Sequence, residues 1–235
     1  MSRTGVIAAS LLLLVPATPA LAQAYQCRLP RTLEPSRPVT PDGPARKTAI
    51  GGYSLSASWS PEYCRLARNK GTMQCSKRYG RFGFVLHGLW PEAARGPYPQ
   101  WCATGPRPSP ELIRKHLCMT PVPWMLEHEW LKHGTCMTRT PEKYYKVSAI
   151  LWRSLRWPDA DRLSRKEGLT AGDLRKAFVL ANPGFRAEQV GIEASGSGWL
   201  RGMRVCYDRR FRPTRCPRAH FGLADETPLK IWRGL

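Results

Sequence analysis

Acidic residues are scarce in this chain: 17 Asp and Glu stand against 37 Lys and Arg, giving a formal charge of +20 at pH 7 over 235 residues. That deficit disfavours a cationic partner and favours a polyanion, a phosphate backbone before others, through release of condensed counterions. Solubility or genome composition can produce the same charge, so its sign alone assigns no activity. The eight cysteines contain no Cys-x-x-Cys pair, which removes the usual spacing of structural zinc sites. No internal repeat occurs. Histidine is rare too, at five residues, and three of the five fall in two short segments, FVLHGLWP and HEWLKHGTC.

Residues 1–22 read as a secretory signal peptide. Arg3 precedes an apolar run from Gly5 to Val15, and Ala20-Leu21-Ala22 offers a small-residue cleavage site before Gln23. The run is shorter than the roughly 20 apolar residues of a membrane span, and it meets Pro16 and Pro19. Export to a periplasmic or extracellular compartment, with no membrane anchor, is expected. The eight cysteines all lie beyond this segment, and an even count in an exported chain reads as a full set of disulfides. Cys206 and Cys216 flank the basic turn DRRFRPTR and would staple a hairpin. Cys102 and Cys136 would fasten HEWLKHGTC to the loop after HGLWP. Spacing does not decide among Cys27, Cys64, Cys75 and Cys118.

Residues 23–48 hold five prolines and no periodic apolar pattern, so they are expected to be an irregular lead-in. The remainder, 49–235, is long enough for one domain with its own core. YSLSASWS alternates Tyr53, Leu55, Ala57 and Trp59 with serines, the period of a half-buried strand. FGFVLH repeats that alternation, with Phe82, Phe84 and Leu86 on one face and His87 on the other. Ser109-Pro110-Glu111 and Thr140-Pro141-Glu142 are helix starts. Thr170 to Asp173 resembles a capping box, and its helix stops at Asn182-Pro183-Gly184. Segments from Gln189, GWLRGMRVCYD and the terminal LKIW read as returning strands. Strands, then helices, then strands predict an α+β fold: a mostly antiparallel central sheet with helices packed against it, stapled by disulfides.

At about 100° per residue in a helix, setting His128 at zero places Lys132 near ~40°, Glu129 near ~100° and His133 near ~140°. The four groups share one arc, while Trp124, Leu126, Trp130 and Leu131 occupy most of the rest, and Gly134 is expected to stop the helix. A zinc-protease reading of the adjacent His and Glu fails on spacing. In H-E-x-x-H the histidines are four apart on one face, whereas His128 and His133 are five apart with Lys132 between them.

Imidazoles, one carboxylate and one ammonium, without a metal cluster or a paired nucleophile, suit a reaction whose nucleophile belongs to the substrate. The 2′-hydroxyl of RNA is such a group. His133 is then the base, His87 the acid, Lys132 and His128 hold phosphate oxygens, and Glu129 orients or polarises the phosphoryl group. Two histidines of opposite protonation state fill the acid and base roles near neutral pH. Trp90, Glu92 and Tyr98 follow closely and are placed to stack on and hydrogen-bond a base, with core packing the alternative for Trp90. His116 and His220 lack such company and are expected at the surface. Taken singly, His87 reads as structural and Glu129 as half of a helix-surface ion pair; their conjunction favours a site. Single-stranded RNA is the expected partner of a monomer that uses no cofactor or metal. Two other classes compete. A basic binding or toxin-like module without catalysis would not need His87, Glu129 and His133 together, and a metal-dependent phosphodiesterase would need clustered ligands on one face.

FVLHGLWP and HEWLKHGTC resemble the two active-site segments of the ribonuclease T2 family. WSPEYC, the YPQWC stretch and the C-terminal cysteine pair extend the resemblance over most of residues 50–235. It implies an α+β fold, secretion, disulfides and metal-free cleavage of single-stranded RNA through 2′,3′-cyclic phosphates. It also implies His87 and His133 as the acid/base pair, Glu129 and Lys132 as transition-state stabilisers, and His128 as a phosphate ligand. Trp90 and Tyr98 match aromatic positions of a base site, and Glu92 stands where some relatives carry aspartate. For the undecided cysteines the resemblance suggests Cys75 with Cys118, leaving Cys27 with Cys64.

Overall fold

The computed structural model describes residues 24–33 and 36–234; the signal peptide expected at 1–22 lies outside the described residues. Among the described residues there are six strands: β1 (Ala24–Cys27), β2 (Ile50–Trp59), β3 (Gly80–Phe82), β4 (Phe84–Ala93), β5 (Val190–Ala194) and β6 (Leu200–Asp208). Between and around them lie α1 (Ser60–Cys64), α2 (Pro110–His116), α3 (Pro123–Glu129), α4 (Thr135–Met137), α5 (Pro141–Ser154), α6 (Ala160–Leu163), α7 (Ala171–Ala181) and α8 (Arg218–Phe221). A four-stranded antiparallel sheet of order β4-β2-β6-β5 forms the centre, and β1 pairs separately with β3. This is the α+β arrangement that the strand-helix-strand order predicts.

Side-chain alternation builds the core. Leu55, Ala57 and Trp59 of β2 and Met203 and Val205 of β6 are buried against Tyr144, Tyr145 and Trp152 of α5 and Leu174 and Phe178 of α7. The three helix starts are capped as their sequences require: Ser109 accepts from the Leu112 amide, Thr140 from that of Lys143, and Thr170 forms a reciprocal capping box with Asp173.

Four disulfides staple the structure: Cys27–Cys118, Cys64–Cys75, Cys102–Cys136 and Cys206–Cys216. The last two are those argued from local spacing. The other two correct the pairing drawn from the family resemblance. Cys64 and Cys75 close a local loop 11 residues apart, and Cys27 is brought to Cys118 by the pairing of β1 with β3 and the Arg28 amide's bond to the Tyr79 carbonyl.

Residues 36–48 are irregular in outline, yet they lie along the domain, with Arg46 and Gln100 exchanging backbone hydrogen bonds and Asp42 reaching the site described below. Two further expectations, on LKIW and on Gly134, are corrected. LKIW is not a strand. Leu229 and Ile231 alternate into the core, but the backbone bonds of Leu229 and Lys230 go to Leu169, Gly198 and Leu200, so no ladder forms. Gly134 does not stop its helix, for the chain continues helically to Met137. A Cβ at Gly134 would lie 2.4 Å from the Trp130 ring and 2.8 Å from Tyr144, so the glycine is there to let Tyr144 approach.

Candidate active site

β4 delivers the first part of the site, and a β-bulge aims it. Opposite β2 the register runs Gly88 to Ser56 and then Leu86 to Ala57, leaving His87 as the extra residue. Leu86 and Leu89 therefore enter the core. Gly88, Trp90 and Glu92 lie opposite Ser56, Ser54 and Gly52. His87 joins this face, with its Nδ1 3.3 Å from Ser58 Oγ. Tyr144 of α5 clamps the strand, donating its hydroxyl to the Leu89 carbonyl and accepting from the Leu89 amide.

HEWLKHGTC supplies the second part. It starts in α3, but Trp130–Gly134 forms a π turn in which the Thr135 amide reaches the Trp130 carbonyl, and α4 follows. A π turn takes more residues than an α turn, so His133 is rotated back toward His128 from the ~140° of a regular helix. The Cys102–Cys136 disulfide and the Trp101 amide, which donates to the Lys132 carbonyl at 2.8 Å, tie this helix to the loop after β4.

The two parts meet at Glu129. Its carboxylate accepts from Trp90 Nε1 at 2.6 Å and faces His87 Nε2 at 3.4 Å. A Cβ on Gly88 would lie 2.1 Å from Glu129 Oε2, so only glycine leaves room for that carboxylate. The His133 ring packs 5.5 Å from Trp90 and 6.0 Å from Tyr98, while His128 stacks on Trp124 at 4.8 Å. A cavity of about 440 Å³ is lined by all eight residues singled out from the sequence, namely His87, Trp90, Glu92, Tyr98, His128, Glu129, Lys132 and His133.

Besides Pro91 of the first segment, three residues beyond those expectations line the cavity: Asp42, Arg204 and His220. Asp42 accepts from Lys132 Nζ at 2.6 Å and Trp101 Nε1 at 3.1 Å, and lies 4.0 Å from His128 Nε2. Arg204 pairs with Glu193 at 2.5 Å and sits over the Trp90 ring. His220 faces Glu92 at 3.5 Å, and Glu92 also accepts from Ser54 Oγ. Arg204 carries a sequence signal, a charge between the core residues Met203 and Val205 of a strand; Asp42 and His220 carry none that stands out. His220 is thus part of the site rather than a bystander on the surface, and His116 is buried on α2 against Tyr145. Both correct the surface expectation.

Electrostatics separates the two central histidines. Burial opposes a charge on His87, but the hydrogen bond to Glu129 and that carboxylate's charge outweigh it and hold the imidazole above its ordinary pKa. His133 is pushed down to about 4, chiefly by burial, against the opposing pull of Glu129. Burial also works against the Glu129 anion, yet His87, His133 and the Trp90 donor keep its pKa below the ordinary value. Near pH 6 the arrangement is a cationic His87, an anionic Glu129 and a neutral His133, which is one proton donor and one acceptor in one cavity. Among the described residues no three His, Cys, Asp or Glu side chains are grouped to hold a metal ion.

The model of the ribonuclease T2 family matches residues 51–173. A probable ribonuclease of Haemophilus influenzae is 28% identical over 191 residues, covering 74% of this chain and 64% of that relative. A ribonuclease of Aeromonas hydrophila is 37% identical over 99 residues, 42% of this chain and 43% of the relative. The chain therefore spans less than two thirds of the length of either relative. Among solved structures, RNase NT, crystallised with 5′-AMP, superposes with a TM-score of 0.60 at 19% identity, covering 78% of this chain and 98% of that one. An RNase-related protein from Calystegia sepium gives 0.59 at 18% identity with the same coverage.

Proposed function

The chain belongs to the ribonuclease T2 family, and on that premise we propose that it is an exported endoribonuclease that cleaves single-stranded RNA without a metal, through a 2′,3′-cyclic phosphate. In this reading neutral His133 takes the proton of the 2′-hydroxyl as that oxygen attacks the adjacent phosphorus. Cationic His87 gives its proton to the departing 5′ oxygen, so the bond from phosphorus to that oxygen breaks as the bond to the 2′ oxygen forms. Lys132 and His128 face the phosphate oxygens and offset the charge that builds on the phosphorane. Glu129 has one further task, to keep His87 protonated. Trp90 and Tyr98 offer stacking faces, and Glu92 a hydrogen-bond acceptor, to the base 5′ of the cut.

The observation that carries the proposal is the geometry: the buried Glu129 carboxylate faces His87 Nε2 at 3.4 Å in a cavity that His133 also lines. Four disulfides suit an oxidising compartment, and residues 1–22 are proposed as the cleaved signal. A test is to incubate the purified protein with polyuridylate in chelator and weigh the products. The account expects 2′,3′-cyclic ends with 5′-hydroxyl partners; 3′-hydroxyl and 5′-phosphate ends would refute it. Replacing His87 or His133 by Ala should cost about two to four powers of ten in turnover.

A further inference from the structure

Two more cavities continue from the first. His87 also lines a cleft of about 550 Å³ with Ser58, Tyr63, Arg65 and Arg201. Arg65 in turn lines a pocket of about 370 Å³ with Lys70, Lys77, Arg81 and Trp232. Shared residues thus chain the three into one track. The middle cleft holds two carboxylates, both already engaged: Glu62 binds Arg65 at 3.0 Å and Glu193 binds Arg204 at 2.5 Å. The far pocket has no acidic lining residue. Its Lys70, Lys77 and Arg81 are exposed and make no ion pair among the described residues.

The pocket is a built feature. The Cys64–Cys75 disulfide closes the loop that carries Lys70, and Gln74 Nε2 donates to Ser60 Oγ inside it. Trp59 Nε1 donates to the Trp232 carbonyl at 2.9 Å, fixing the opposite wall. Trp232 remains 40% exposed, with Arg65 over its ring at 4.5 Å. Unpaired cations beside an exposed aromatic face are what a single-stranded nucleic acid needs: charge for the phosphates and a flat surface for a base.

We propose that the RNA chain on the 3′ side of the cut runs past His87, through the middle cleft, and into this pocket, where Lys70, Lys77 and Arg81 bind its phosphates. The polarity rests on the function proposed above. His87 protonates the departing 5′ oxygen, so the leaving strand lies on the side of His87 that opens into the middle cleft, away from Trp90 and Tyr98. The site would then prefer long substrates.

The test uses DNA oligonucleotides carrying a single ribonucleotide, so that only one linkage can be cut, either as a dinucleotide or lengthened by several deoxynucleotides on the 3′ or the 5′ side. The variant combines Lys70→Ala, Arg81→Ala and Lys77→Asn, the last because φ at Lys77 is +61° and Asn tolerates it. For the unmodified protein, 3′ extension should raise kcat/KM at least about tenfold over the dinucleotide, since each added phosphate finds a cation. The variant should lose that gain while cutting the dinucleotide at the normal rate and keeping any gain from 5′ extension. Its binding of an all-deoxy oligonucleotide should show a salt slope lower by about 2, from about 0.7 per lost phosphate contact. A variant that keeps the 3′ gain, or loses the 3′ and 5′ gains alike, overturns the proposal, and so does an unchanged salt slope in binding the all-deoxy oligonucleotide. If the unmodified protein cuts nothing, the ribonuclease reading fails, and the all-deoxy binding measurement still decides for or against this surface.

Discussion

Replacing Glu129 by Gln should move the whole pH profile of cleavage to lower pH. The free-enzyme profile of kcat/KM rises as the base loses its proton and falls as the acid loses its own. Here the rising limb belongs to His133, pushed down to about 4, and the falling limb to His87, held above its ordinary value. Glu129 raises both histidines, so its neutral isostere should lower both. Losing one charge-assisted hydrogen bond removes about 1.5–3 kcal/mol, and one pH unit corresponds to about 1.36 kcal/mol. For His87 that predicts a shift of about 1–2 pH units. The lower end is expected because the imidazole is 34% exposed and water screens the pair. The assay is kcat/KM on a dinucleotide from pH 3.5 to 8 for both proteins. A lower profile with unmoved limbs would mean that Glu129 acts on the substrate alone; a falling limb moved to higher pH would refute the reasoning outright.

Gly88→Ala should cost at least about a hundredfold in kcat, because the added Cβ falls 2.1 Å from Glu129 Oε2 and an ångström of misplacement carries that penalty; normal turnover would disprove the packing argument. Asp42→Asn should tighten inorganic phosphate binding roughly two- to fivefold by freeing Lys132, a small effect because Asp42 is 51% exposed and such pairs hold about 0.2–1 kcal/mol; weaker binding in competition assays would contradict it. His116→Gln should leave activity unchanged and flatten acid destabilisation. Burial lowers His116 to about 4, so the unfolded chain binds the extra proton between there and 6.5, and the stabilisation is complete above 6.5 and lost as pH falls toward 4. Denaturant unfolding at pH 7 and pH 4 should differ by about 2–3 kcal/mol less in the variant; an equal difference would show that His116 is solvated.

Local signals carried most of the fold. The alternation of Leu55, Ala57 and Trp59 marked the central strand, and Ser109, Thr140 and Thr170 marked helix starts, because strand period and capping are properties of a few consecutive residues. Much of the site was legible for the same reason: His87 and Trp90 share one strand, and His128, Glu129, Lys132 and His133 share one helical segment. What stayed hidden depends on long-range packing. Asp42 reaches Lys132 across 90 residues of chain, and His220 reaches Glu92 from the short helix α8. The bulge at His87 and the π turn at Trp130 each insert one residue into a regular period, which a fixed alternation cannot register. His116 is buried because it continues an apolar stripe with Leu112, Ile113 and Leu117, a spacing that points inward and outweighs its lack of titratable neighbours.

The proposal that the substrate supplies the nucleophile is tested most directly with two oligodeoxynucleotides that differ only in whether one nucleotide carries a ribose or a deoxyribose, both in chelator. Phosphate contacts are unchanged, so both should bind with similar affinity. Only the ribose form should be cut, and its product should carry a 2′,3′-cyclic phosphate by mass, because His133 has no 2′ proton to remove from the other. Cutting of the 2′-deoxy linkage at a comparable rate would mean that water is the nucleophile, and the acid/base roles given to His87 and His133 would fall with it.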